Sequence, residues 1–270
     1  MQSYELKTSD GIGLQAQKWN DVEDSERTLL IVHGLGEHQN RYSHVVNHFA
    51  GDGFQVYSYD QRGHGKSDGP RGHFPNLHQI LDDLQLVIDS IPHKNLYIYG
   101  HSLGGNITAN FLLRRDCETV RAAVLSSAWF KLYKQPSIFD LTMATIINGI
   151  YPKFSQNNKL DPNELTYIEQ VGIDYINDPL VHSQITVGLF KSAQASGLWA
   201  VENAHKLKVP ALLIHGEDDP IIGAQGSLQF TEKAGELATL YTYKRCKHEL
   251  HNESKAQEVL SDVSEWFKNI

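Results

Sequence analysis

The sequence predicts an α/β fold with a mostly parallel central sheet flanked by helices. Short apolar runs alternate with longer segments of helical spacing along most of the 270 residues, and this alternation is typical of parallel strands joined by helices. A stretch of about 70 residues in the middle contains no clean apolar strand. Because structureless loops of that length are rare, we expect residues 129–199 to form an inserted helical lid, or cap, on a core of residues 1–128 and 200–270.

The core elements follow from their local patterns. Residues 4–7 and 14–19 flank an Asp-Gly-Ile-Gly turn and predict a hairpin. Further strands are predicted from compact aliphatic and aromatic runs at 29–32, 54–59, 96–99, 122–125, 211–214 and 237–243. Helices are predicted where apolar residues recur every three or four positions, at 41–50, 77–91, 103–115 and 253–267.

Composition narrows the class of protein. The 24 Lys and Arg against 32 Asp and Glu leave a net charge of −8, which argues against nucleic-acid binding. The two cysteines, Cys117 and Cys246, have no paired spacing, the first residues lack the pattern of a secretory signal, and no apolar run has the length of a membrane span. A cytoplasmic protein is therefore expected. The 14 histidines are many for this length and could suggest a metal protein.

A candidate nucleophile lies between a predicted strand and a predicted helix. The residues Gly100-His101-Ser102-Leu103-Gly104 match Gly-x-Ser-x-Gly, a motif that is weak alone but specific in a strand–turn–helix setting. The glycines suit a tight turn in which a neighbouring side chain would clash with the backbone. We therefore predict Ser102 as the nucleophile.

A serine nucleophile requires a histidine base and a carboxylate to orient it. Acids follow the strand 211–214 at Asp218 and Asp219, and histidines follow the strand 237–243 at His248 and His251. Spacing alone does not choose within either pair. The segment 248–252 also resembles a zinc-protease helix, but that motif needs its second histidine at position 252, which is Asn252.

An oxyanion-binding loop is the remaining requirement. The strand 29–32 runs into His33-Gly34-Leu35-Gly36-Glu37-His38, where glycines let the backbone approach a ligand. A backbone N–H of this loop, together with that of Leu103, could bind a developing oxyanion.

With these pieces in place the sequence resembles the monoacylglycerol lipase and lysophospholipase branch of the α/β-hydrolase superfamily. The matching motifs lie in the family's order at 33–38 with Arg41-Tyr42, 60–67, 100–105, 216–219 and 248–253. The resemblance implies an α/β-hydrolase fold in which Asp219 is the acid and His248 the base. It also places the oxyanion donors at the backbone N–H groups of Leu35 and Leu103. The predicted lid has no matching motif.

The expected activity is that of a serine carboxylester hydrolase on single-chain lipid esters, monoacylglycerol first. The alternatives are a lysophospholipase, a broad short-chain carboxylesterase, a serine aminopeptidase, and a non-catalytic ligand-binding module on the same fold. We expect no cofactor, no metal and no nucleic-acid partner. The pocket is predicted at Gly34, His101, Ile138 and Ile147. The apolar residues at 138–150 either pack against other helices or form a surface that binds the acyl chain and docks peripherally on membranes. The sequence does not predict the oligomeric state.

Overall fold

The computed structural model describes residues 1–22 and 25–270, except for the side chains of Ile138 and Leu141. Its strands are β1 (Gln2–Lys7), β2 (Gly13–Lys18), β3 (Arg27–Val32), β4 (Gln55–Tyr59), β5 (Asn95–His101), β6 (Val120–Ser126), β7 (Ser155–Asn157), β8 (Gln184–Thr186), β9 (Ala211–Gly216) and β10 (Ala238–Tyr243). Its α-helices are α1 (Ser43–Gly51), α2 (Leu77–Ser90), α3 (Leu103–Arg114), α4 (Ile138–Ile150), α5 (Glu169–Asn177), α6 (Val187–Glu202), α7 (Ala224–Ala234) and α8 (Ala256–Lys268).

Eight of these strands form one sheet in the order β1-β2-β4-β3-β5-β6-β9-β10. The pairs β1–β2 and β2–β4 are antiparallel, and the remaining neighbours are parallel. The predicted mostly parallel sheet and its leading hairpin are therefore confirmed. Parallel strands place their carboxyl ends at one edge, which is where ligands bind in such sheets.

Helices cover both faces of the sheet. On one face α1 and α8 bury apolar residues such as Phe49, Val263 and Phe267. On the other, α2, α3, α6 and α7 bury residues such as Leu84 and Phe111. Because full burial of one such side chain is worth about 1.5–3 kcal/mol, these two layers hold the sheet rigid beneath the loops at its edge.

Some helix ends agree with the sequence prediction and others differ by a few residues. The helix α2 begins at the predicted residue, where the Asn76 side chain accepts a hydrogen bond from the Gln79 N–H, a standard N-cap. The helix α8 begins at Ala256 rather than 253, because the preceding residues 250–252 form a 3-10 turn. The predicted helix 41–50 is split into a 3-10 turn at Gln39–Tyr42 and α1.

Two features were missed by the sequence prediction. The helix α7 buries Gly226, Ser227 and Phe230, a face too small and polar to show helical apolar spacing. The strands β7 and β8 pair antiparallel over three residues each, and β7 is exposed throughout. Neither strand therefore has the apolar run by which strands are recognised.

The segment between β6 and β9 contains α4, α5, α6 and the β7–β8 pair. Within it, α6 packs directly on α3: the Asn106 amide donates to the Ala193 carbonyl at 2.9 Å and the Asn110 amide to the Ser196 carbonyl at 3.2 Å. This helix is thus built into the layer beside the sheet. The predicted limits of core and lid stay a prediction. Among the described residues, no helix is both long and apolar enough to cross a membrane.

Candidate active site

Four loops at the carboxyl edge of the sheet carry the candidate site. Ser102 follows β5, Asp219 follows β9, His248 follows β10, and the loop 33–38 follows β3. The chain order of serine, acid and histidine is the one expected for this arrangement of strands. Residues far apart in sequence meet here because parallel neighbouring strands end together.

The turn that holds Ser102 is sharp and closely packed. Ser102 has φ 52° and ψ −113° between β5 and α3, a conformation that non-glycine residues rarely adopt and that functional sites often contain. A Cβ at position 104 would lie 2.1 Å from the Val32 carbonyl oxygen, and one at position 100 would lie 2.5 Å from Thr108 Oγ1. Both positions therefore require glycine, as the motif predicts.

Ser102, His248 and Asp219 form one hydrogen-bonded chain. The Ser102 hydroxyl lies 2.9 Å from His248 Nε2, and His248 Nδ1 lies 2.8 Å from Asp219 Oδ2. The alternatives lie elsewhere: Asp218 accepts a hydrogen bond from the Tyr167 hydroxyl, and the His251 ring stacks on Tyr42. The geometry thus distinguishes between residues that sequence spacing left open.

The Asp219 carboxylate is oriented by its own loop. Its Oδ1 accepts hydrogen bonds from the N–H groups of Ile221 and Ile222, at 2.9 and 3.0 Å. Its Oδ2 also lies 3.3 Å from Nε2 of the buried His215. Burial opposes ionisation of Asp219, but the charge of His248 and the hydrogen bonds from His215 and His248 outweigh it and hold the pKa of Asp219 below its usual range. Asp219 is therefore an anion when it faces His248.

The same pairing acts on the histidine. Burial by itself would lower the pKa of His248, but the charge and hydrogen bond of Asp219 outweigh burial, and the pKa lies above its ordinary value. With Nδ1–H held by Asp219, the neutral ring presents the lone pair of Nε2 to Ser102. This arrangement can accept the proton of the serine hydroxyl.

The two predicted oxyanion donors flank the serine. Leu103 is the first residue of α3, where a backbone N–H has no partner within the helix. Leu35 lies in the loop after β3 and lines the same cavity as Ser102. In the described part of the chain, neither N–H has a hydrogen-bond acceptor, so both are available to a ligand.

A buried ionic network joins the oxyanion loop to the histidine loop. Glu37 accepts hydrogen bonds from the Gly34 N–H at 2.6 Å and from the Tyr42 hydroxyl at 2.7 Å. Arg41 donates to Glu37 at 2.6 Å and in bidentate fashion to Glu249 at 2.7 and 2.8 Å. The network fixes the loop that carries Leu35 relative to the residue after His248.

Sequence reasoning assigned this network no role. Glu37, Arg41 and Glu249 all occur in the motifs that carry the family resemblance, and the spacing of Glu37 and Arg41 is that of an ion pair on one helical turn. That spacing was the available signal for the first pair. No local pattern indicates the contact between Arg41 and Glu249, which are 208 residues apart.

A cavity of about 280 Å³ opens above Ser102 and His248. Its larger wall is apolar and consists of Trp129, Leu132, Ile185, Phe190, Ile221 and Ile222. The predicted pocket residues Gly34 and His101 line this cavity. Ile147 does not: it lies half-buried on α4, and the β7–β8 region and α6 form the wall in its place. The side chain of Ile138 lies outside the described residues.

Two of the loop histidines, His33 and His64, bind backbone atoms, whereas His38 Nε2 binds the Asp178 carboxylate and His101 Nδ1 has no partner among the described residues. His33 Nδ1 lies 2.7 Å from the Gly34 carbonyl oxygen while its Nε2 accepts the N–H of Gln61, and His64 Nδ1 lies 3.0 Å from the Arg62 carbonyl oxygen. Burial lowers the pKa of both imidazoles, so they are neutral. Among the described residues, no group of three or more histidines, cysteines and acids could hold a metal ion.

Comparison with known proteins supports the predicted resemblance. The chain is 29% identical over 263 residues to a monoacylglycerol lipase of Mycolicibacterium smegmatis, covering 95% of this chain and 93% of that protein. The crystal structure of a Paleococcus ferrophilus monoacylglycerol lipase matches with a TM-score of 0.83 at 30% identity and covers 98% of both chains.

A third relative is longer than this chain. An uncharacterised abhydrolase domain-containing protein of Dictyostelium discoideum is 34% identical over 269 residues, which are 97% of this chain but 28% of that protein. The family model described as serine aminopeptidase, S33, matches residues 23–255. With a match across most of its length, and with Ser102, His248 and Asp219 in hydrogen-bonded order at the carboxyl edge of the sheet, this chain belongs to the Hydrolase_4 family of α/β-hydrolases.

Proposed function

We propose that this chain is a serine carboxylester hydrolase that cleaves single-chain lipid esters, with monoacylglycerol as the first substrate. One observation carries the proposal: the hydrogen-bonded chain Ser102–His248–Asp219 lies at the base of a cavity whose larger wall is apolar. The relatives named as monoacylglycerol lipases support the same substrate.

The proposed reaction proceeds through an acyl-enzyme. Ser102 Oγ attacks the ester carbonyl as His248 Nε2 takes the hydroxyl proton, and the carbonyl oxygen becomes an oxyanion held by the N–H groups of Leu35 and Leu103. His248 then gives the proton to the departing glycerol oxygen, and the C–O bond breaks. Water, deprotonated by His248, repeats the attack on the acyl-serine and releases the fatty acid. One oxyanion donor is worth about 2.7–4 kcal/mol in the transition state.

The apolar wall supports a fatty acyl substrate. Each methylene buried against it contributes about 0.8 kcal/mol, or about fourfold in affinity. A short-chain esterase would show no such gain with chain length. Activity that rises from short to long acyl esters therefore separates the lipid hydrolase from a broad short-chain carboxylesterase.

The description of the family model favours a serine aminopeptidase as the second candidate. A peptidase of this kind needs a carboxylate or carbonyl group that binds the free amine of its substrate. Among the described cavity-lining residues the carboxylates are Glu37 and Glu249, and both are bound to Arg41. Since both are engaged by Arg41, the described lining offers a substrate ammonium group no unpaired carboxylate, which favours an ester over an aminopeptide.

An exposed apolar stripe on α4 supports peripheral contact with a lipid surface. Phe139, Met143, Ile146 and Ile150 recur at helical spacing and are 72%, 39%, 51% and 80% exposed. Contiguous exposed apolar residues of this kind mark interaction sites. We propose that this stripe rests on lipid while substrate enters. The cytoplasmic location also stays a prediction.

Labelling with a serine-reactive phosphonate tests the assignment. We expect one adduct per chain, on Ser102, and loss of both label and ester hydrolysis in Ser102→Ala. Ser90→Ala, at the end of α2 and away from the cavity, is the control and should behave as the wild type. An adduct on another residue, or wild-type turnover by Ser102→Ala, refutes the mechanism. No hydrolysis of any ester, including p-nitrophenyl esters, would favour a non-catalytic binding module.

A panel of substrates tests the specificity. It comprises monoacylglycerols of increasing chain length, lysophosphatidylcholine, short esters and aminoacyl amides. The proposal requires monoacylglycerol to have the highest kcat/KM. Faster cleavage of the amides would establish the aminopeptidase instead.

A further inference from the structure

The cavity has a second wall that the proposed hydrolysis of a neutral ester does not use. Beside the apolar residue Ile185, which pairs with Gln156 across the β7–β8 strands, the lining continues through the polar residues Gln156, Asn157, Asn158 and Lys159. Because an ester of glycerol has an apolar acyl chain and a polar alcohol, the polar wall is the natural place for the head group. This inference rests on the function proposed above.

Lys159 is the free positive charge of this lining. Of the other charged residues there, Glu37 and Glu249 share the guanidinium of Arg41, and His248 is paired with Asp219. Within residues 1–22 and 25–270, no ion pair involves Lys159. A lysine ammonium with three donors and no carboxylate partner is suited to bind an anion.

The backbone holds Lys159 in an unfavourable conformation. Its φ is 56°, in the left-handed region that costs a lysine free energy relative to glycine or asparagine. The turn is fixed by neighbouring side chains: Asn157 Oδ1 accepts the Lys159 N–H at 2.7 Å, and Asn158 Oδ1 accepts the Leu160 N–H at 3.0 Å. The Asn158 N–H donates to the Ser183 carbonyl at 2.7 Å, which ties the turn to the residue before β8. These hydrogen bonds fix the backbone of Lys159 among the residues that line the cavity, while its side chain stays exposed to solvent.

We propose that Lys159 binds the phosphate of a glycerophosphate head group. The chain would then hydrolyse single-chain phospholipids whose head group carries a net negative charge, in addition to neutral monoacylglycerol. A terminal phosphate carries about −1.5 to −2 charges near neutral pH, whereas the choline head group of a zwitterionic lipid cancels its phosphate. Lys159 is thus a specificity residue that distinguishes anionic from neutral and zwitterionic head groups.

The test compares kcat/KM for 1-decanoylglycerol and for 1-decanoylglycerol 3-phosphate, both as monomers so that binding to a lipid surface plays no part. In Lys159→Gln we expect the ratio of phosphate to neutral substrate to fall by about three- to tenfold, the range for a charge-assisted hydrogen bond near solvent. Lys159→Glu should lower the ratio further. Added salt should lower the ratio for the wild type but not for Lys159→Gln, because screening weakens an exposed charge pair.

Lys153→Gln is the matched control, since Lys153 is an exposed lysine of the same region that does not line the cavity. It should leave the ratio unchanged. The inference is overturned if the wild type cleaves the neutral ester but not the phosphate ester, or if Lys159→Gln leaves the ratio at the wild-type value. If the wild type cleaves neither ester, the proposed function itself fails, and the inference fails with it.

Discussion

Replacing His251 with phenylalanine should make the protein less sensitive to acid. The His251 side chain is 1% exposed, and among the described residues neither of its ring nitrogens has a hydrogen-bond partner. Its ring stacks on Tyr42 at 4.8 Å between centroids and lies 4.9 Å from His101. Burial, which the nearby carboxylate of Glu249 only partly opposes, lowers the pKa of His251 from 6.5 to about 3.

The sign and size of the effect follow from proton linkage. Between pH 6.5 and 3 the unfolded chain binds a proton at His251 that the native state does not, so the free energy of unfolding falls as the pH falls. Between pH 6.5 and pH 5 the free energy of unfolding falls by about 1.4 kcal/mol per pH unit through His251, or about 2 kcal/mol over the 1.5 units. A phenylalanine ring keeps the stacking on Tyr42 and binds no proton. Between pH 8 and pH 5 the free energy of unfolding of the variant should therefore fall by about 2 kcal/mol less than that of the wild type.

Urea unfolding at pH 8 and pH 5 measures this difference for the wild type and His251→Phe. At pH 8 we expect the variant to be at least as stable as the wild type, because it no longer buries two unpaired nitrogens. His205→Gln, at an exposed histidine, is the control and should retain the pH dependence of the wild type. If His251→Phe loses as much stability as the wild type between the two pH values, the reasoning is wrong.

Three further predictions concern the reaction and its support. Asp219→Asn should lower kcat by about 10⁴, by analogy with other serine triads, while Asp218→Asn should stay near wild type in the same steady-state assay. The acid limb of the kcat/KM profile should have its midpoint above 6.5, since the pKa of His248 is raised and only the neutral ring is a base; a midpoint below 6 would contradict this. Arg41→Met should destabilise the protein by about 3–5 kcal/mol in urea unfolding, because it leaves two buried carboxylates unpaired; a loss under 1 kcal/mol would show that the network is dispensable.

The parts of the fold that sequence predicts are those in which local pattern and burial agree. The strand β5, the turn at Ser102 and the helix α3 are recognised because a buried apolar run, a glycine-rich turn and a helix follow one another within 20 residues. Strand β7 is exposed throughout, and α7 buries a glycine and a serine, so neither has a hydrophobic pattern. The missed β7 is also the strand that brings the polar wall to the cavity.

The candidate site shows a second limit of sequence reasoning. Nothing in the spacing of Asp218 and Asp219 distinguishes the two, because consecutive loop residues can each point to either side of the chain. The structure distinguishes them because Asp219, and not Asp218, is bound by His248, which lies 29 positions further along the chain. The family resemblance also indicated Asp219, because it aligns this loop with the loops of folded relatives in which the position of the acid is already fixed.

The histidine content has two opposite consequences for behaviour in acid. Burial lowers the pKa of His33, His101, His182 and His251, so that each is neutral in the folded protein and destabilises it only when the pH falls below 6.5. The pKa of His248 alone among these five is raised, because it faces Asp219. As the pH falls, His248 is therefore protonated first and activity stops while the fold is intact. The loss of activity just below neutral pH should be fully reversible, and irreversible loss should begin only at the lower pH where the buried histidines become charged.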